Sequence, residues 1–192
     1  MRWVNKPPVY VVTDQEFATY AEAYMEDLKS WKAKGKKDDE QRAWNDDIQR
    51  RINEADVYGQ PGVKVVYKLA SGPAALMRLS VKDDSVKIED LSAHKGAEGS
   101  GVVMVEWAVN YSQREGKGGL LSLYDASNSP GYYAGAYGFE TVDGGTMKLD
   151  PAKKPELWVR LNDTWKLKKY VTAEGKDKFQ FLEDPPGELE PH

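Results

Sequence analysis

An apolar run, Val-Tyr-Val-Val-Thr at residues 9 to 13, opens the chain and predicts a strand behind the stiff Pro7-Pro8 pair. Thr13 with Glu16 three residues later is a capping box, the signature of a helix start. Phe17, Tyr20, Tyr24, Leu28 and Trp31 then form one apolar stripe at helical spacing, ended by the charged loop Lys34 to Asp39. A second helix follows, with Trp44, Ile48, Ile52 and Ala55 on one face, closed by Gly59, Pro61 and Gly62. Val63 to Leu69 reads as a strand. Gly72-Pro73 predicts a turn into a strand from Ala75 to Val81, and Asp83-Asp84 a turn into the next.

That next strand changes phase. Val86 and Ile88 alternate with Lys87, Glu89 and Asp90 follow as two polar residues together, and alternation resumes out of step at Leu91 and Ala93. A slip of one residue predicts a β-bulge, which bends a strand and frees backbone groups from its ladder. Gly96, Gly99, Ser100 and Gly101 come next, leading into a helix. Glycines let backbone N–H groups crowd toward an anion, and a helix N-terminus adds the positive end of its dipole. A bent strand running into such a nest outlines a phosphate-bearing ligand's site.

Val102 to Val109 alone would pass for a buried strand. Glu106, Asn110 and Gln113, four and three apart, predict instead a helix with one wet side. Gly116, Gly118 and Gly119 end it before a strand from Leu120 to Tyr124. Asn128 or Ser129 caps a short helix with Pro130 in its first turn and Gly138 just past its end. Phe139 to Val142 and Thr146 to Leu149 form a hairpin around Asp143-Gly144-Gly145. Beyond Pro151 the pattern stays β: Glu156 to Leu161, Thr164 to Val171 and a third segment, Lys178 to Leu182. The Pro-, Gly- and Glu-rich tail from Asp184 is expected to fray.

Composition narrows the chemistry. The 192 residues suffice for one sizeable domain, and a formal charge of -4 disfavours broad nucleic-acid binding. The absence of cysteine removes disulfides, thiolate metal sites and thiol nucleophiles, and two histidines, His94 and His192, cannot build a histidine metal cluster. No metal site is expected. No apolar run approaches a membrane span and MRWVNKPPVY lacks a signal-peptide core, so a cytoplasmic protein without membrane partners is expected.

Over roughly residues 9 to 150 the order is strand, two helices, three antiparallel strands, helix, strand, helix, hairpin. With the bulged strand, the glycine loop and Gly138-Phe139 after a tyrosine-bearing helix, the chain resembles the GNAT family of acetyl-CoA-dependent N-acetyltransferases. That family's loop signature is Q/R-x-x-G-x-G/A. Gln113-Arg-Glu-Gly116-Lys-Gly118 spells it better, yet lies after a helix and before a strand, the reverse of the required context. Gly96-Ala-Glu-Gly99-Ser-Gly101 lies between bulged strand and helix and is the stretch we assign, with Gly96 standing where the family has Gln or Arg.

The resemblance implies an α/β fold: a GNAT-type mixed, mostly antiparallel sheet with helices on both faces over residues 1–150. A C-terminal β extension packs on it over 151–192. It implies transfer of acetyl from acetyl-CoA to a primary amine, of a small molecule or a protein. Without cysteine, direct attack in a ternary complex is the consistent route. Leu91, Ser92 and Ala93 would carry the pantetheine arm, with N–H groups there polarising the thioester carbonyl. Gly96, Gly99, Ser100, Gly101 and Val102 would hold the phosphates, and Asn128 would precede the tyrosine helix as the family's asparagine does. The usual general-acid slot falls on Ala134, so the neighbouring Tyr133 is the candidate. Glu89, or Asp90, is the candidate base. His94 reads as a solvated loop histidine. The tryptophans at 31, 44, 107, 158 and 165 are expected to pack the core and the extension. Two other classes of function stay open: a non-catalytic module binding acyl-CoA or a protein partner, and a tryptophan-rich extension serving as a dimerisation (homodimer) or docking surface.

Overall fold

The structure, a computed structural model, describes residues 9–30, 60–94, 97, 99–125 and 130–171. The second helix expected around Trp44, the strand at Lys178 to Leu182 and the tail lie outside the described residues, as do Gly96 and Asn128. Two layers of helix sandwich one sheet. In chain order the elements are β1 (Val9–Val12), α1 (Asp14–Ser30), β2 (Val63–Leu69), β3 (Gly72–Val81), β4 (Val86–Ala93) and α2 (Ser100–Arg114). They continue with β5 (Leu121–Tyr124), α3 (Pro130–Tyr137), β6 (Glu140–Asp143), β7 (Thr146–Leu149), β8 (Trp158–Leu161) and β9 (Thr164–Leu167). Seven strands form the sheet in the order β1-β2-β3-β4-β5-β7-β6, and β8-β9 is a separate hairpin. All neighbouring pairs are antiparallel except β4 with β5. This mixed sheet with helices on both faces is the architecture that the resemblance implies. None of the described helices is long and apolar enough to cross a membrane.

The predicted capping box starts α1. Glu16 N–H donates to Thr13 Oγ1 at 3.3 Å, and Glu16 Oε2 accepts the Thr13 N–H and hydroxyl at 2.8 Å each. The stripe of Phe17, Ala21, Tyr24 and Leu28 then buries itself against Val66 and Leu76 on one face of the sheet. Each large side chain so removed from water contributes about 1.5–3 kcal/mol. Helix α2 covers the other face, packing Val102, Val103, Met104, Val105, Ala108 and Val109 against Val65, Tyr67, Met77, Leu79 and Ile88. The turn before β3 falls at Ala70-Ser71, and Gly72-Pro73 belong to the strand itself. Pro73 sits opposite Lys68 just beyond a register shift, at a ladder end where its missing N–H costs little.

The polar side of α2 is not wet. Glu106 is buried, and its Oε1 accepts the Leu167 N–H at 2.9 Å. Asn110 accepts the Trp165 N–H at 2.7 Å and donates to the Trp165 carbonyl at 2.9 Å. The Trp165 indole N–H donates to Gln113 Oε1 at 3.3 Å. These side chains act as a substitute strand, satisfying the outer edge of β9 and seating the hairpin on the helix. Trp158, Trp165 and Leu167 thereby enter the same core as α2.

Candidate functional site

The bulge lies where the phase slip places it. On β3, Arg78 pairs with Asp90 and Leu79 with Ile88, leaving Glu89 as the extra residue of β4. On the other side of β4 the consequence is larger. The parallel ladder to β5 consists of Val86↔Leu121, Lys87↔Ser122 and Ile88↔Leu123. From Glu89 to Ala93, β4 has no partner on that side among the described residues, while β5 turns to β7 alone through Tyr124↔Thr146. The two strands part at the bulge and open a cleft at the centre of the sheet.

Backbone phase decides which groups face it. The His94 N–H donates to the Ala74 carbonyl at 2.9 Å, so His94 and Ala74 form a hydrogen-bonded pair. Alternation in an antiparallel ladder then aims the N–H and C=O of Ser92 at β3 and those of Leu91 and Ala93 into the cleft. Of the three predicted pantetheine residues, Leu91 and Ala93 offer main-chain groups, and Ser92 does not. The Ser92 hydroxyl faces α1 and is 2.9 Å from the Tyr24 hydroxyl. Burial, opposed by that hydrogen bond, pushes the Tyr24 hydroxyl up to about 12.

The cleft runs into the N-terminus of α2. Gly99 caps it in the left-handed region, φ 80°, without a side-chain hydrogen bond, and the first turn carries no acid. Ser100 differs from the expectation: its N–H donates to the Ala97 carbonyl at 3.1 Å, and its hydroxyl to the His94 carbonyl at 3.4 Å. The Val103 N–H is taken by the Gly99 carbonyl at 3.1 Å. Gly101 and Val102 carry the other two N–H groups of that turn, with the helix dipole behind them. The Val102 side chain is buried in the main core, so this residue has only its main chain to offer.

The carboxylates of the bulge are heavily partnered. Glu89 Oε1 accepts the Ser80 hydroxyl at 2.6 Å, and Lys87 Nζ is 2.7 Å from Oε2. Burial opposes ionisation of Glu89, but the hydrogen bonds from Lys87 and Ser80 and the charges of Lys87 and Lys82 outweigh it. Its carboxyl is held below the ordinary range. Asp90 pairs with Arg78 at 2.7 Å.

His94 is not a solvated loop residue. It is buried, edge-on to the Tyr24 ring at 5.8 Å, with Nε2 at 3.4 Å from Asp27. Helix α1 covers it, a tertiary contact that spacing along the chain could not show.

Of the three tyrosines of α3, Tyr132 and Tyr137 reach this region and Tyr133, the predicted general acid, packs beside them. Tyr133 stacks edge-on against Phe139 at 6.0 Å and tilts over Tyr137 at 6.3 Å. The Tyr132 and Tyr137 hydroxyls lie 3.4 Å apart. A Cβ at Gly101 would lie 3.5 Å from Tyr137 Oη, 3.9 Å from Tyr132 Oη and 3.6 Å from Ala93 Cβ. The structure thus brings Tyr132 and Tyr137, which the sequence had not singled out, to the corner where β4 meets α2. The sequence carried no signal for this pair, because side chains five apart on an α-helix are not neighbours as those three or four apart are. Gly138, φ 83°, ends α3 with its N–H on the Ala134 carbonyl at 2.9 Å. The Trp158 indole N–H caps the Tyr137 carbonyl at 2.8 Å.

No family model matches this chain, and no curated protein matches it in sequence. Among solved structures it is similar to the PaiA N-acetyltransferase of Thermoplasma acidophilum in complex with coenzyme A. There the identity is 14%, the match covers 74% of this chain and 98% of that one, and the TM-score is 0.46. It is similar to a GCN5-related N-acetyltransferase from Rhodopseudomonas palustris, at 14% identity over 86% of this chain and 93% of that one, TM-score 0.48. It is also similar to the Bacillus subtilis N-acetyltransferase YlbP in complex with coenzyme A, at 13% identity over 76% and 97%, TM-score 0.43. At identities this low, chemistry has to be argued from this chain's own residues.

Proposed function

We propose that this protein is an acyltransferase that takes acetyl-CoA in the cleft between β4 and β5 and passes the acetyl group to a primary amine by direct attack in a ternary complex. One observation carries the reading: β4 loses its parallel partner at the Glu89 bulge, and its freed edge leads to a helix whose first turn carries no acid.

The residues fit such a ligand. Leu91 and Ala93 offer main-chain donors and acceptors to an amide-bearing arm, as an added strand would use them. The N–H groups of Gly101 and Val102 offer donors to phosphate oxygens. Bound acetyl-CoA supplies an acyl group already activated as a thioester. A main-chain N–H of β4 at Leu91 or Ala93 would hold the carbonyl oxygen and favour charge building on it. Tyr133 is the assigned proton donor to the departing thiolate, and Glu89 the proton acceptor for the amine. Because Lys87 and Ser80 hold the Glu89 carboxylate, it is a weak base and takes the proton through water. The acceptor is a small-molecule or protein amine, and the net charge of -4 favours a cationic one.

The same partnering of Glu89 favours a second reading, acyl-CoA binding without transfer. Calorimetric titration with acetyl-CoA, followed by a thiol-release assay over a panel of amines, separates the two. Absence of binding at high micromolar ligand would sink both. Binding without turnover on any amine would select the module. Turnover that Tyr133→Phe leaves unchanged would remove Tyr133 from the mechanism.

A further inference from the structure

Two hydroxyls stand at the corner of the cleft where the free edge of β4 ends and α2 begins. Tyr137 is 1% exposed and Tyr132 58% exposed, and their Oη atoms are 3.4 Å apart. Each hydroxyl carries one hydrogen, and their mutual bond uses one of the two. Whichever way that bond points, one O–H remains to donate elsewhere. Both oxygens lie within 4 Å of the Cβ position of Gly101, beside Ala93. The remaining donor is therefore next to the first-turn N–H groups that would face an anion.

The pair is also held from behind. Tyr137 is packed against Tyr133 and Phe139, and its carbonyl is capped by the Trp158 indole. Burial, then the hydrogen bond it shares with Tyr132, raise the Tyr137 hydroxyl far above its ordinary value, so it stays protonated and its proton can go to the Tyr132 oxygen, leaving the Tyr132 proton for a ligand. Tyr132 is the member that solvent, and hence a ligand, can reach.

Resting on the acetyl-CoA reading of this cleft, we propose that the Tyr132 hydroxyl, oriented by Tyr137, donates a hydrogen bond to an acceptor oxygen on the phosphate-bearing arm of coenzyme A. Tyr132 contacts the ligand; Tyr137 is a positioning residue that acts through it. A hydroxyl pair then does the work of a basic side chain at the phosphate loop.

The experiment is a double-mutant cycle of Tyr132→Phe, Tyr137→Phe and the double variant, titrated calorimetrically with coenzyme A. Tyr111→Phe, on α2 away from the cleft, serves as control. Tyr132→Phe should weaken coenzyme A binding about tenfold, the scale of a hydrogen bond to a charged group. Tyr137→Phe should also weaken it, and the double variant should lose no more than the worse single one. Additive losses would overturn the positioning role of Tyr137. A Tyr132→Phe protein that binds coenzyme A as tightly as wild type would overturn the proposal while leaving the acetyl-CoA reading intact. Wild-type protein that fails to bind coenzyme A would sink that reading and the proposal with it.

Discussion

Asn110→Ala tests how the C-terminal hairpin is attached. In the wild type the Asn110 amide closes two bonds with one residue of β9, accepting the Trp165 N–H at 2.7 Å and donating to its carbonyl at 2.9 Å. Those main-chain groups point away from β8, so the hairpin partner offers no replacement. Each bond contributes about 1 kcal/mol net, and a main-chain group stripped of its partner in a partly buried place costs about 1–3 kcal/mol. Water reaches part of the gap, so the expected loss is about 2–4 kcal/mol rather than the full sum. For a domain of this size that lowers the melting temperature by about 4–16 °C. Urea unfolding of wild type and variant gives the difference directly. Asn110→Asp sharpens the test: it keeps the acceptor but aims an anion at the Trp165 carbonyl, and should be at least as unstable as the alanine variant. If Asn110→Ala falls within about 0.5 kcal/mol of wild type, the range of an ordinary surface change, the hairpin is not held by these side chains.

Gly99→Asp places a negative charge at the α2 N-terminus; aspartate adopts the left-handed backbone at a cost of about 1 kcal/mol, and its charge suits the helix dipole. Folding should therefore survive while acetyl-CoA affinity drops at least tenfold, and retained affinity in a calorimetric titration would refute the placement of the phosphates. Gly138→Ala must hold φ near 83° with a Cβ only 2.9 Å from Leu157 Cδ1, and should cost about 1–3 kcal/mol in a thermal melt; an unchanged melting temperature would mean that α3 ends differently. Burial, opposed by Asp27, lowers the His94 imidazole below its ordinary 6.5. The unfolded chain then takes up this proton first on acidification, and stability is lost as pH falls below about 6.5. His94→Gln should flatten the stability slope between about pH 7 and pH 5 in urea melts, and equal slopes would dismiss the histidine as its source.

What the sequence made legible was local. The Thr13–Glu16 box, the Glu89 slip and the Gly138 stop each act within a few residues of themselves, and each is found in place. What it hid was set by partners far along the chain. Glu106 and Asn110 carry a helical period, but whether their face meets water or β9 is decided some 55 residues later, at Trp165 and Leu167. His94 is covered by Tyr24 and Asp27 of α1, which precedes it by the three strands β2, β3 and β4. The tyrosine spacing told which residues share α3, not which hydroxyls meet, because Tyr132 and Tyr137 are five apart and meet edge to face outside the helical neighbour spacings.

The ladder between β4 and β5 has a mechanical consequence. It joins three residues to three, whereas β2 and β3 are paired along seven positions and β5 and β7 along four. The sheet is in effect two antiparallel plates, β1-β2-β3-β4 and β5-β7-β6, welded along a short seam. A bend at this seam would disturb those three ladder positions and leave each plate's own ladders intact, and the seam lies at the narrow end of the opening. A small rotation about it would widen or tighten the wedge at the cost of few main-chain bonds, with the resistance set by the side-chain core that α2 shares with both plates, from Val65 and Met77 to Leu123 and Met147.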